Sequence, residues 1–488
     1  MGVMNAQATM ATQTPATVGE HASFLAHIKQ AEGALTQRFV NKLKVNPDLD
    51  RTLVSFQANK IENEHRWYKY KEGFSAPLVR YLLSNVGPKS GRLLDPFAGS
   101  GTALFCASDY GVESVGIELL PIGAEIIQVR RLLLKADRGN IAQDIRSFIR
   151  ERQWEKVGPL EPFHHLRITA GAFPKETEYA LNRYLYEVDR IKGKILRRLL
   201  RFAALCVLEA ISFTRKDGQY LRWDYRSGRR TGGKPFHKGP IAAFGQAITE
   251  KLEQISSDLT GGDLLFPEIV ETEKDASVEL LVGSCLDILP NLPGNSFDGI
   301  ITSPPYCNRY DYTRTYALEL AMLGTDEEGI RNLRQTMLTC TVENREKQTL
   351  DAKFPAALFE KARDAFQSQV LLSQVISYLE GCRLDGSINN TGIPRMVRNY
   401  FLELALVIFE CARVLKPGAP FVMVNDNVRY QGAHIPVDLI LSDIAEKAGL
   451  KVEQIWVLPK GKGNSSQQMG AHGREEARKC VYIWRFKG

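Results

Sequence analysis

Short apolar runs of strand length recur along this chain at 92–97, 114–119, 278–284, 297–302, 420–425, 452–458 and 480–486. Amphipathic stretches with helical spacing fall between several of them, at 103–110, 400–415 and 437–448. Strand-length runs alternating with helices point to a doubly wound α/β sheet of Rossmann-like type. Lys416-Pro417-Gly418 reads as a helix stop and turn before the fifth run.

Further helical pattern covers 23–44 and 76–84. Two long stretches exceed what a minimal sheet needs. The first, 136–275, carries a predicted helix over 180–213 with Ile195, Leu196, Leu199, Leu200, Ala203, Cys206 and Val207 along one face. That stripe reads as core packing. The second, 325–392, is mostly helical and charge-balanced. The expected organisation is a disordered tail at 1–22, sheet segments at 23–135, 276–324 and 393–488, and helical insertions at 136–275 and 325–392.

Composition narrows the class. The 488 residues are 44% hydrophobic and 24% charged, as in soluble globular proteins. No apolar run approaches the ~20 residues of a membrane span. The Ala-, Thr- and Gln-rich start has neither the charge nor the apolar core of a signal peptide. Eight cysteines are scattered without a Cys-x-x-Cys pair, which suits buried, reduced thiols in a cytoplasmic protein. His164-His165 is a poor ligand spacing, so no metal is predicted.

The net charge of +7 is mild for a nucleic-acid binder, and its distribution is more telling. Residues 215–238 hold eight Lys or Arg against two Asp, interleaved with Tyr220, Trp223, Tyr225 and Phe236. Cations neutralise phosphates while aromatics stack on bases, so Arg226, Arg229 and Arg230 are candidate nucleic-acid contacts. The insertion that carries them is the first choice for target recognition. The 325–392 stretch and the basic loop 460–466 are the competitors.

Two motifs carry chemistry. After the first predicted strand come Asp95-Pro96-Phe97-Ala98-Gly99-Ser100-Gly101-Thr102, whose glycines let backbone approach a ligand where a Cβ would clash. It is not a phosphate-binding Walker loop, which needs Gly-Lys-Ser/Thr. Glu118 closes the second strand, where a carboxylate can accept both ribose hydroxyls. The fourth strand runs into Thr302-Ser303-Pro304-Pro305-Tyr306.

On these two motifs the chain resembles the DNA amino-methyltransferases, over about 60–130, 278–320 and 395–488. The resemblance implies a seven-stranded methyltransferase sheet with its last strand antiparallel. It also implies S-adenosylmethionine as cofactor, held by Asp95, Phe97, Gly99, Gly101, Thr102, Glu118 and Asp287. The segment with Phe74 and Ser75 would meet the methionine end. Ser303 and the Pro304 carbonyl would accept the amine hydrogens of a flipped base, Pro305 would rigidify the loop, and Tyr306 would stack the base. Tyr312 and Glu319 match an aromatic and an acid downstream in similar enzymes. The implied substrate is double-stranded DNA, and the implied partner a separately encoded restriction enzyme. Ser at the first motif position is associated with cytosine N4 transfer, and Asp or Asn with adenine N6. The cofactor motif precedes the catalytic one, a permuted order relative to many relatives with such a glycine loop. Adenine, RNA or a protein amide as substrate, and an inactive DNA-binding protein, remain alternatives.

Overall fold

The computed structural model describes residues 18–50, 52–71, 73–158, 160, 164–217, 220–229, 235–261, 276–459 and 478–488. In chain order its strands are β1 (Leu43–Val45), β2 (Arg92–Asp95), β3 (Glu113–Glu118), β4 (Thr214–Asp217), β5 (Tyr220–Trp223) and β6 (Val278–Val282). They continue with β7 (Gly299–Thr302), β8 (Pro420–Asp426), β9 (Val428–Tyr430), β10 (Ala433–Ile435), β11 (Leu450–Val457) and β12 (Lys479–Phe486). Eight form the main sheet, in the order β1-β11-β12-β8-β7-β2-β3-β6. β12 runs antiparallel to β11 and β8, and the other pairings are parallel. The doubly wound α/β reading and the antiparallel last strand are both present.

The inner strands are apolar on both faces because helices cover both, as parallel sheets require. Leu93, Ile301 and Val422 pack on one side with Leu78, Val79 and Leu82 of the helix Ala76–Asn85. Leu94, Ile300 and Phe421 pack on the other with the helices Ile393–Val414 and Val437–Lys447. Ser75 starts the first of these helices by accepting the Leu78 N–H at 3.2 Å. The helix Ile393–Val414 ends at Lys416-Pro417-Gly418, where Gly418 takes φ +80°.

Three boundaries differ from expectation. The 23–44 helix is the helix Val18–Phe39 followed by β1, an eighth strand at the sheet edge. Three residues are too few to show a period, and their partner β11 lies over 400 positions away. That helix also begins inside the expected 1–22 tail, whose residues 1–17 lie outside the described residues. The single helix expected at 180–213 is two, Lys175–Arg190 and Lys194–Ile211, broken where Ile191 and Gly193 turn extended. A continuous apolar stripe hid the break.

The helices of 136–275 form a second core with Tyr68, Tyr70, Tyr312 and Tyr316, so this insertion is packed directly against the segment after β7. The 325–392 stretch divides. Ile330 and Met337 join that second core, while Leu371, Leu372 and Val375 join the core beside the sheet.

Candidate active site

β2 is the switch point of the sheet: the order runs one way to β3 and β6, the other way to β7 and β8. Ligands bind in the crevice such a reversal opens at the strands' carboxyl ends. A cavity lies there, with an empty volume of about 790 Å³ that includes its opening to solvent. Phe97 and Gly99 line it from the loop after β2, Thr102 from the helix start that follows, Glu118 from the end of β3, Leu120 from just beyond it, and Ser303 and Pro305 from the loop after β7. Tyr70, Phe74, Tyr312, Met337 and Leu338 complete its walls.

The glycine loop is shaped by its two left-handed residues, Gly99 at φ +54° and Gly101 at φ +76°. A Cβ on Gly99 would come within 3.2 Å of the Tyr70 ring. Gly101 does not line the cavity. It caps the helix Thr102–Asp109, and a Cβ there would strike Ile127 at 2.8 Å. Asp95 also lies behind the lining, fully buried, where it accepts the Phe97 N–H at 3.0 Å and the Thr302 hydroxyl at 2.6 Å. It therefore ties the glycine loop to the strand end that carries Ser303. Burial pushes its carboxyl up to about 7, against the opposing pull of those two bonds.

Glu118 is 7% exposed, and its two oxygens accept the Gly99 N–H at 2.6 Å and the Leu120 N–H at 2.7 Å. Burial raises its carboxyl to about 8, although both backbone donors favour the ionised form. The folded protein thus holds the proton more tightly than the unfolded chain. The stability this contributes is fully present below the ordinary value of 4.5 and is lost as pH rises through about 8. Asp95 acts in the same direction, through about 7. The ligand-free protein should lose thermal stability between about pH 5 and about pH 9, and Glu118→Gln should flatten the upper part of that fall. Melting curves that superimpose for the two proteins would remove Glu118 from the account.

The hydroxyl of Ser303 has one proton, which it donates to the Val424 carbonyl of β8 at 3.1 Å. Its 3.2 Å contact with the Tyr306 hydroxyl is therefore one in which Tyr306 donates. One lone pair stays available, so Ser303 faces the cavity as an acceptor. Pro304 is buried, and Tyr306 is 6% exposed and does not line the cavity. Cys307 is buried as a packing residue, its thiol pushed up by burial, and its carbonyl accepts the Tyr430 hydroxyl at 2.6 Å.

The remaining expected residues are placed less directly. Asp287 does not line the cavity. It follows the lining residues Gly283, Ser284 and Cys285, with 43% of its side chain exposed, and pairs with Lys353 at 2.6 Å. Just after the hairpin of β4 and β5, Arg226 grips the buried Asp224, bonding through Nε at 2.7 Å and Nη2 at 2.9 Å. Arg229 stacks 4.3 Å from the Trp223 ring and donates to the Ile168 carbonyl at 2.9 Å. Both remain at the surface, whereas Arg230 and the 460–466 loop lie outside the described residues. Lys216, one of the eight cations of the basic stretch, is buried against Glu319 at 2.5 Å and the Tyr68 hydroxyl at 2.9 Å.

Sequence reasoning missed several supports of the site. Tyr316 stacks on Tyr70 at 5.2 Å and accepts the Lys71 N–H at 2.7 Å, which sets the cavity wall. Gly123, in the first turn of the helix Pro121–Leu133, leaves room for Glu118: a Cβ there would meet its Cδ at 2.8 Å and the Gly99 carbonyl at 2.6 Å. A glycine in a helix's first turn was the available signal. Among the described residues no cluster of three or more His, Cys, Asp or Glu is arranged for a metal, and no helix is long and apolar enough to cross a membrane. All eight cysteines are free.

No protein-family model matches the chain. It is 49% identical over 469 residues to the Type II methyltransferase M.AvaI of Nostoc sp., covering 96% of this chain and 95% of that protein. It is 39% identical over 504 residues to the Type II methyltransferase M.BsoBI of Geobacillus stearothermophilus, covering 95% and 93%. At 21% identity it also matches the Type II methyltransferase M.MvaI of Kocuria varians over 436 residues.

Proposed function

Because the chain belongs to the Type II DNA methyltransferases, we propose that it methylates the exocyclic amine of a flipped base, that of cytosine, using S-adenosylmethionine. The observation that carries this reading is that a single cavity holds Glu118 at one side and the acceptor Ser303 at another. The cavity's chemistry suits the cofactor. Each Glu118 oxygen takes one backbone N–H and keeps a lone pair for a ribose hydroxyl. Bare Gly99 and the Tyr70 ring give a close, aromatic wall. S-adenosylmethionine, when bound, supplies a methyl group on a positively charged sulfur that leaves with the electron pair of the broken bond.

The amine is a weak nucleophile because its lone pair is delocalised into the ring. Ser303 accepts one amine hydrogen and the Pro304 carbonyl the other, which favours a pyramidal nitrogen aimed along one line. After transfer the methylated, positively charged nitrogen releases one of its hydrogens as a proton to solvent. Positioning of this kind supplies much of the rate. Flipping costs a few kcal/mol and is offset by contacts to the extrahelical base. Ser303 as an acceptor suits cytosine and adenine equally, so the preference for cytosine rests on the Ser-Pro-Pro-Tyr association. Nucleoside mass spectrometry of DNA treated with enzyme and cofactor tests it. Methyl on the cytosine amine is expected. Methyl on adenine overturns the substrate, and no transfer to DNA overturns the reading.

Target recognition is assigned to the 136–275 insertion with its basic stretch 215–238, supported by the packing of β5 beside the helix Tyr312–Thr315 at the cavity wall. Arg226 is a poor probe, since its loss strands the buried Asp224. Arg215→Ala with Arg229→Ala should weaken DNA binding and reduce the salt slope by about two counterions, with cofactor affinity kept. An unchanged slope would move recognition to 325–392 or 460–466. Within this reading a separately encoded restriction enzyme shares the DNA target.

A further inference from the structure

Three residues beyond Tyr306, Arg309 sits at φ +65°, a left-handed conformation that long side chains rarely adopt. The turn before it is locked. Asn308 N–H donates to the Tyr306 carbonyl at 2.7 Å, the Tyr430 hydroxyl donates to the Cys307 carbonyl at 2.6 Å, and Tyr310 N–H donates to the Asn308 side chain at 3.1 Å. Glycine would occupy position 309 with no such penalty, so the local backbone gives no reason for an arginine there.

The side chain offers a reason. Nearby Arg314 and Arg334 are both committed to Asp311, through Nε at 3.3 and 3.1 Å. Arg309 is partly exposed, and among the described residues no carboxylate, carbonyl or ring engages its guanidinium. Its charge reaches the Tyr430 phenol, where it opposes the strong upward push of burial. Position 309 lies in the loop after β7, between Pro305 and Tyr312, which both line the cavity.

We propose that Arg309 contacts DNA directly, its guanidinium taking a backbone phosphate of the strand that carries the target base. This rests on the methyltransferase reading above. A base can enter the cavity only if its own phosphates come close to it, and a guanidinium carried by a loop that lines the cavity can bind one with charge-assisted hydrogen bonds. The strained backbone holds the cation at the loop that must receive the base.

The test compares Arg309→Gly and Arg309→Met with the wild type in DNA titrations over a range of salt, in cofactor calorimetry and in thermal melts. Arg309→Gly should be at least as heat-stable as the wild type, because the strain is relieved. Both variants should bind DNA more weakly and lose about 0.9 from the slope of log K against log salt, with cofactor affinity unchanged. Wild-type DNA affinity and slope in both variants would overturn the assignment. A wild type that neither binds nor methylates DNA in the same assay would instead sink the methyltransferase reading beneath it.

Discussion

Tyr306→Ala should lose most turnover, about 100-fold or more, while the cofactor still binds. The ring is buried beside Ser303 and does not line the ligand-free cavity. Stacking of the target base on it, as proposed from the motif, requires the ring to open towards that base. Its removal acts in two ways: it deletes the stacking face, and it frees the Ser303 hydroxyl from the donor that now fixes it. Truncating a buried aromatic also costs about 3–5 kcal/mol of stability, so the melt must be measured beside the rate. Tyr306→Phe separates the effects, since it keeps the ring and loses only the hydroxyl. Phe should retain most of the rate if the ring is what matters. Ser303→Ala should keep a lower but measurable activity, because the Pro304 carbonyl still accepts. A Tyr306→Ala enzyme that folds and turns over at the wild-type rate would remove this residue from the chemistry.

Gly123→Ala is the second large effect, and its sign is informative. In an ordinary helix the change stabilises by about 1 kcal/mol, through the better propensity of alanine. Here the new methyl would sit 2.6 Å from the Gly99 carbonyl and 2.8 Å from the Glu118 carboxyl carbon. Both belong to rigid parts of the cavity, and overpacking of this kind costs about 1–3 kcal/mol. Displacing the acid and the glycine loop together should weaken S-adenosylmethionine about 10–100-fold in calorimetry. Tighter or unchanged binding, with a higher melting temperature, would show that Glu118 has room to move.

The motifs were legible because their chemistry is local. Gly99 and Gly101 announce a backbone that no other residue adopts easily, and both take positive φ. Glu118 announces itself at a strand end, and the structure brings it within 2.6 Å of the Gly99 N–H across the cavity floor. The apolar runs of the inner strands β2, β7 and β8 predicted their strands because helices bury both their faces, which shows up in composition alone.

What sequence spacing could not show was which charges meet. Lys216 and Arg226 read alike as cations in one basic stretch, yet the fold sends the first into a buried pair with Glu319 and clamps the second on Asp224. Asp287 was placed by resemblance among the cofactor residues, and in the tertiary structure it pairs with Lys353 beside the cavity lining. The acceptor state of Ser303 depends on the Val424 carbonyl, 121 positions away. The edge strand β1 exists only because β11 offers it hydrogen bonds. By itself, then, the sequence determined seven of the sheet's eight strands, the glycine loop and the rigid Ser303–Tyr306 turn, since steric rules and burial act within a few residues. The tertiary structure alone decided the partner of each charge and the room around each acid, because those energies depend on distances between segments that no local pattern encodes.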